Sequence, residues 1–258
     1  MPHARHGRDH SVGVALTLLS AVTFGASGVL AKVAYAGGSG VSTLLAGRFL
    51  LAALVLWALV AWRRPAMPPV AVALGALALG GVGYAGEATL YFSALERLDA
   101  SLVAMLLATY PVLVVAAAVA LGRERPDRRR AIALATAVAG AALVLGGAQF
   151  GALSGPGLMF AGSATVAYAS YVLLADRFTA RVDGLLLATL VVTGAAIGTL
   201  TFGASTGSIA TDALAPSGWL SIAALALVCT VVPIASFLFA LPRVGPGTAS
   251  ILSTFETV

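Results

Sequence analysis

The chain has 258 residues, a net charge of +5 and a mean hydropathy of +0.99; 60% of its residues are hydrophobic and only 10% are charged. A soluble domain carries about 25% charged residues, so this composition excludes a soluble globular protein. Apolar runs of 18 or more residues instead predict membrane-spanning helices, since a bilayer core takes roughly 20 residues of helix.

The predicted helices are separated by turns rich in glycine, proline or arginine. Eight complete helices are expected at about 12–36, 41–62, 69–95, 99–122, 131–148, 156–175, 185–203 and 217–241. A ninth begins near 245 and is still running at Val258. Residues 1–11 form a predicted cytoplasmic tail, and the rest divides into 12–150 and 151–258. The sequence therefore predicts an all-α polytopic membrane protein.

The basic residues of the predicted loops lie almost entirely on one side of the membrane. Those on that side are Arg5, Arg8, Arg63, Arg64, Arg123, Arg125, Arg128, Arg129, Arg130, Arg177, Arg181 and Arg243. The opposite side has only Arg97. Because Lys- and Arg-rich loops stay in the cytoplasm, we expect a cytoplasmic N-terminus. Fourteen arginines against one lysine, with many alanines and glycines, suggest a high-GC bacterium and therefore a bacterial inner membrane. Arginines spread over five short loops argue against nucleic-acid binding.

An internal repeat joins the two parts of the chain. ALERLDASLVAMLLATYPV (94–112) and ALPRVGPGTASILSTFETV (240–258) align without gaps at an offset of 146, with five identical positions. Five predicted helices separate the two segments, so the second copy must be inverted across the membrane. Inverted repeats are a signature of secondary transporters, whose substrate site lies between the repeats near the midplane.

Three segments carry a resemblance to a known family: FGASGVLAKVAYAG (24–37), GRFLLAALVL (47–56) and YFSALERLDASLVAMLLATYPVLVVAAAVALGRE (91–124). The chain resembles the EamA-type branch of the drug/metabolite transporter superfamily. That resemblance implies ten helices in two inverted five-helix repeats, and the export or exchange of small metabolites, amino acids or drugs. Phe255-Glu256-Thr257 departs from the family pattern, which favours Glu-Pro there. Since a tenth helix is missing, we expect a fragment of a protein of roughly 290–300 residues.

Three charged residues lie within the predicted spans, in the outer half of the membrane: Lys32, Arg48 and Glu87. A charge there costs at least about 2.5–3.5 kcal/mol, so each should face a cavity or a partner. Arg48 is the expected partner of Glu87. Two structural alternatives stay open, because Lys32 could snorkel to the head groups and the pair could simply brace two helices.

Aromatic residues surround the buried acid in the sequence. Tyr84 and Tyr91 flank Glu87 at i−3 and i+4, on one face of the helix, which favours a functional site. Buried tyrosines could equally be packing residues with a satisfied hydroxyl. The other tyrosines placed in the same candidate site are Tyr110, Tyr168 and Tyr171.

A second acid, Glu256, is expected near the midplane in the ninth helix, and its repeat partner is Tyr110. An acid in a low-dielectric site can exchange a proton as solvent access alternates, so Glu87 and Glu256 are candidate proton-coupling residues. A helix-packing hydrogen bond is the alternative for Glu256. Pro111 and Pro233 each free a backbone carbonyl that a ligand or water could use.

These features together predict a secondary transporter with alternating access, which exports a small polar or amphipathic solute against proton entry. A non-transporting membrane protein, either an intramembrane enzyme or an assembly partner, is the competing class. All three histidines lie in the N-terminal tail, which argues against an enzyme. The single cysteine, Cys229, excludes an internal disulfide and offers no metal cluster. No cofactor or metal is expected, and the sequence leaves open whether two copies form a homodimer.

Overall fold

A computed structural model describes residues 3–122, 128, 132, 135–136, 139–140, 154–212, 214–253 and 255. In this part of the chain, seven helices are long and apolar enough to cross a membrane. We number them as the first to seventh spans: His10–Ala36, Val41–Arg63, Val70–Arg97, Ala100–Ala120, Gly155–Thr179, Gly184–Ser205 and Pro216–Val244. The predicted fold class, an all-helical polytopic membrane protein, is confirmed.

Most spans correspond to one predicted helix, but several consist of more than one helical segment. The helices are α1 (His3–Gly25), α2 (Ser27–Ala36), α3 (Val41–Arg63), α4 (Val70–Ala78), α5 (Ala85–Arg97), α6 (Ala100–Leu107), α7 (Tyr110–Ala120), α8 (Gly155–Thr179), α9 (Gly184–Ser205), α10 (Pro216–Ala226), α11 (Val232–Val244) and α12 (Pro246–Ser253). The last of these is the predicted ninth helix. The predicted helix at 131–148 and the boundary at 150 fall outside the described residues.

The first and fourth spans are interrupted, where the sequence predicted continuous helices. The first helix begins at His3, within the predicted tail, and the first span breaks at Ala26. The fourth span breaks between Leu107 and Tyr110, just before Pro111. Proline has no N–H, so Pro111 cannot donate the helical hydrogen bond that the Leu107 carbonyl would otherwise accept. Both predicted spans are present, each with one interruption that the sequence analysis did not place.

Two π-helical segments occupy corresponding positions in the two halves of the chain. Leu79–Tyr84 joins α4 to α5 in the third span, and Leu227–Val231 joins α10 to α11 in the seventh. The repeat offset of 146 maps the first segment onto 225–230, which overlaps the second. A π turn widens the helix by one residue and is frequent at functional sites. Each half therefore carries a widened turn in its third helix.

The two halves, residues 3–122 and 154–255, interlock through their first and third helices. A Cβ added at Gly13 would lie 2.8 Å from the Arg243 side chain, at the end of the seventh span. A Cβ added at Gly157 would lie 2.7 Å from Leu98, just beyond the end of the third span. The first helix of each half thus packs through a glycine against the end of the third helix of the other half.

The third and sixth spans approach each other backbone to backbone. A Cβ added at Gly80 would lie 1.9 Å from the carbonyl oxygen of Val191, and one at Gly194 would lie 2.0 Å from that of Leu77. No side chain larger than hydrogen fits at either glycine, and small residues of this kind allow close packing in membranes. This glycine contact holds the first π segment against the second half of the chain.

Candidate functional site

Nine residues of the first half and Tyr168 of the second line a small buried cavity, which we call the Glu87 chamber. Its walls come from the first to fifth spans, and its volume is about 30 Å³. That is room for roughly one or two water molecules. Its polar side chains are Ser27, Arg48, Tyr84, Glu87, Tyr91 and Tyr168. Five of these six are residues that the sequence singled out, and the structure brings them together.

Glu87 lies in the first turn of α5, directly after the first π segment. Only 6% of its surface is exposed. Tyr84 and Tyr91 are buried on the same face of the helix and line the chamber with it, as their spacing predicted. The carboxyl group therefore sits in a confined polar space with aromatic walls, in a chain that crosses the membrane.

Arg48 reaches from the second span into the second π segment. Its side chain is 2% exposed, its Nη2 donates to the Cys229 carbonyl at 2.8 Å, and its Nε donates to Thr230 Oγ1. Pro233, four residues later, has no N–H that could bond to the Cys229 carbonyl. The sequence predicted that Pro233 would free a carbonyl for a ligand or water; in the structure an arginine of the other half occupies it.

The Arg48 guanidinium is also held by aromatic rings. Its central carbon lies 5.1 Å from the ring centre of Phe92 and 5.3 Å from that of Phe49. A guanidinium at this distance from a ring is attracted by the ring's quadrupole. Arg48 and Glu87 thus share the chamber while the hydrogen bonds described above tie the arginine to the seventh span. A direct Arg48–Glu87 pair stays a prediction.

Positions 48 and 194 correspond under the repeat offset, and each faces the π segment of the other half. Arg48 meets the second π segment through its hydrogen bonds. Gly194 meets the backbone around the first, close to Leu77 and Gly81. The two halves therefore use the same place in the fold differently: one fills it with a charged side chain, the other closes it backbone to backbone. Of these two corresponding positions, only the one in the first half therefore places a charged side chain against the π segment of the other half.

The predicted tyrosines form a continuous row across the two halves. Tyr84 lies 5.3 Å from Tyr171 between ring centres, Tyr171 stacks on Tyr168 at 6.1 Å, and Tyr168 meets the edge of Tyr110 at 4.6 Å. The Tyr110 hydroxyl donates to the Ser250 carbonyl of α12 at 3.4 Å. This row connects the Glu87 chamber with the last helix.

Lys32 and Glu256, the remaining candidates, do not join this group in the described part of the chain. The half-buried Lys32 donates through Nζ to the Leu98 carbonyl at 2.8 Å, at the end of α5. A cation there satisfies a terminal carbonyl and complements the helix dipole. Glu256 lies outside the described residues.

A larger cavity of about 360 Å³ adjoins the chamber and shares Tyr91 and Leu107 with it. The first and fourth spans and the chain around Ser253 form its walls. Its lining is mainly apolar, with a few hydroxyl groups that include Ser101 and Tyr110. Among the described residues, no group of three His, Cys, Asp or Glu side chains is placed to hold a metal ion.

Sequence reasoning missed two residues of this site, Ser27 and Thr230. Ser27 lines the chamber, and Thr230 accepts the Arg48 hydrogen bond. Thr230 had an available signal, since it is the repeat counterpart of Tyr84 and precedes Pro233 by three residues. Ser27 had a weaker one in the small-residue run Gly25–Gly28, which is equally typical of helix packing.

Comparisons with known proteins agree with this architecture. The model of the EamA-like transporter family matches residues 11–146 and 155–258, one segment in each half. A crystal structure of another protein superposes with a TM-score of 0.76 at 19% sequence identity, over 95% of this chain and 85% of that one. At that identity the likeness shows the fold alone. No curated protein sequence matches the chain significantly.

Proposed function

The chain belongs to the EamA-like transporter family, and on that premise we propose that it is a secondary transporter working by alternating access. The proposed cargo is a small metabolite such as an amino acid or a drug-like solute, which is exported or exchanged. Proton entry is the proposed driving force. The protein is proposed to lie in a bacterial inner membrane with its N-terminus in the cytoplasm, and a reporter fused after Arg8 tests that orientation.

The observation that carries this proposal is the buried Glu87 carboxyl group in a chamber bounded by both halves of the chain. An ionisable residue inside a membrane is expensive and marks a pathway for ions, protons or substrates. A site between two repeats can open to either side of the membrane when one repeat moves against the other. Glu87 lines a chamber in which Tyr168 of the second half meets residues of the first, and this contact supports the proposal.

In the proposed cycle, Glu87 takes up a proton on one side of the membrane and releases it on the other. The chamber is too small for a whole solute, so its adjoining cavity of about 360 Å³ is the proposed place for the solute's body. Arg48 links the halves through Cys229 and Thr230. Rearrangement of that link would accompany opening.

The test uses the protein reconstituted in lipid vesicles with an imposed pH gradient and a panel of radiolabelled amino acids and drugs. Glu87→Gln keeps the side-chain size but cannot ionise. We expect it to lose solute accumulation driven by the pH gradient, because the proton has no carrier, while solute-for-solute exchange continues.

Glu96→Gln is the matched control, since Glu96 lies on the same helix but is exposed and paired with Arg97 at 2.6 Å. It should accumulate solute like the unmodified protein. Normal accumulation by Glu87→Gln would show that Glu87 is structural and would contradict proton coupling through this residue.

A further inference from the structure

We propose that Ser27 is a ligand-contact residue of the Glu87 chamber: it holds a water-sized polar group that donates a hydrogen bond to the Glu87 carboxylate. Ser27 lines the chamber and is 3% exposed. Among the described residues, its Oγ is the buried side-chain polar atom that has no hydrogen-bond partner. The inference rests on the proposed function only for the proton-carrying role of Glu87.

The break in the first span explains why the Ser27 hydroxyl is free of its own helix. Buried threonines elsewhere donate to the carbonyl four residues earlier, as Thr17, Thr189 and Thr199 do. For Ser27 that residue is Thr23, and the helix is interrupted between them, with α1 ending at Gly25 and α2 beginning at Ser27. Ser27 Oγ forms no such bond, and Ser27 lines the chamber.

The chamber has the size and chemistry to supply the missing partner. A hydroxyl in the interior of a membrane protein is unfavourable without a hydrogen bond, and a polar cavity of this volume accommodates about one or two waters. The polar side chains of Arg48, Tyr84 and Tyr91 line the same chamber. Ser27 and Glu87 thus share a space that fits one small polar group.

The occupant must be a hydrogen-bond donor no larger than water. A water molecule, or the hydroxyl or ammonium group of a solute in the adjoining cavity, can donate to the Glu87 carboxylate while bonded to Ser27 Oγ, which both donates and accepts. Such a group would hold the proton-exchanging carboxylate in one orientation. Ser27 then contacts either the transported group or the water that exchanges a proton with Glu87.

Infrared spectroscopy of the full chain in lipid tests this without any transport. The infrared band of the Glu87 side chain, from either its carboxyl or its carboxylate form, is the one that disappears in Glu87→Gln and remains in Glu96→Gln. Ser27→Ala should shift that band, because the carboxyl group loses a positioned donor. Ser20→Ala should not, since the buried Ser20 hydroxyl on the same span donates to the Pro233 carbonyl at 3.0 Å.

The source of the group follows from when the shift appears. A shift in solute-free buffer identifies water, and a shift that appears only with the amino-acid and drug panel present identifies a solute group. An unchanged band under both conditions overturns the proposal.

Transport by the same variants gives an independent check. Ser27→Ala should lower proton-driven accumulation roughly tenfold with an unchanged melting temperature, the factor expected for one lost hydrogen bond to a charged group. Ser27→Thr keeps the hydroxyl but fills the chamber with a methyl group, so it should also lower accumulation. Normal accumulation in both variants counts against the subsite. If the Glu87 band shifts in Ser27→Ala but Glu87→Gln accumulates solute normally, the proposed function is refuted and the subsite stands.

Discussion

Replacement of Thr230 by valine tests the link between the two halves. Valine keeps the volume and the branched shape of threonine but removes the oxygen that accepts from Arg48 Nε. The same hydroxyl donates to the Leu225 carbonyl of α10 at 2.7 Å. Thr230 is fully buried and Arg48 is 2% exposed, so bulk solvent does not reach the place of the lost partner.

The expected loss follows from this geometry. A hydrogen bond to a charged group contributes about 1.5–3 kcal/mol, and a buried donor left without a partner loses that contribution in full. For a chain of this size each kcal/mol corresponds to about 2–4 °C in melting temperature. Thr230→Val should therefore melt roughly 3–12 °C below the unmodified protein, followed by intrinsic fluorescence in detergent.

Thr201→Val provides the matched control. The Thr201 hydroxyl is exposed and contacts only carbonyls of its own helix, at Ile197 and Gly198. Surface substitutions usually change stability by less than about 0.5 kcal/mol, or roughly 2 °C here. Equal melting temperatures for the two variants would refute the reasoning, because they would mean that the Arg48 contact adds no stability.

Two further predictions concern packing. Gly80→Ala should prevent folding or lower the melting temperature severely, because its Cβ would overlap the Val191 carbonyl, whereas Gly86→Ala, whose Cβ would meet nothing within 4 Å, should melt normally. Lys32→Met keeps the aliphatic stem but leaves the Leu98 carbonyl without its donor, so it should cost about 1 kcal/mol of stability in a thermal melt and leave proton-driven accumulation intact. Loss of accumulation at normal stability would instead give Lys32 a direct part in transport.

Hydropathy and residue spacing were sufficient to predict the seven described spans and five of the six polar residues of the chamber. A long apolar helix is a local property, so its position can be read from composition alone. Glu87, Tyr84 and Tyr91 could be grouped because helical spacing fixes which side chains share a face. Arg48 was found because a charge in a span requires a polar environment wherever the helix packs.

The tertiary links could not be predicted in the same way. Whether Arg48 turns to Glu87 or to Cys229 depends on how two distant helices cross, and no local pattern specifies that crossing. The π segments arise where packing favours a widened turn, and LGGVGY alone also suits an ordinary helix. Ser27 directly follows the helix break at Ala26. No proline lies near that break, so the sequence did not indicate it.

The Arg48–Cys229 hydrogen bond also has a consequence for biosynthesis. The acceptor lies 181 residues later in the chain than the donor. While the ribosome is still making those residues, the second span is already in the bilayer with a guanidinium whose acceptor does not yet exist. An arginine inside a span costs at least about 2.5–3.5 kcal/mol, and at that stage only first-half residues such as Phe49 and Phe92 can contact it. The early spans should therefore stay near the translocon or tilt toward the head groups until Thr230 has entered.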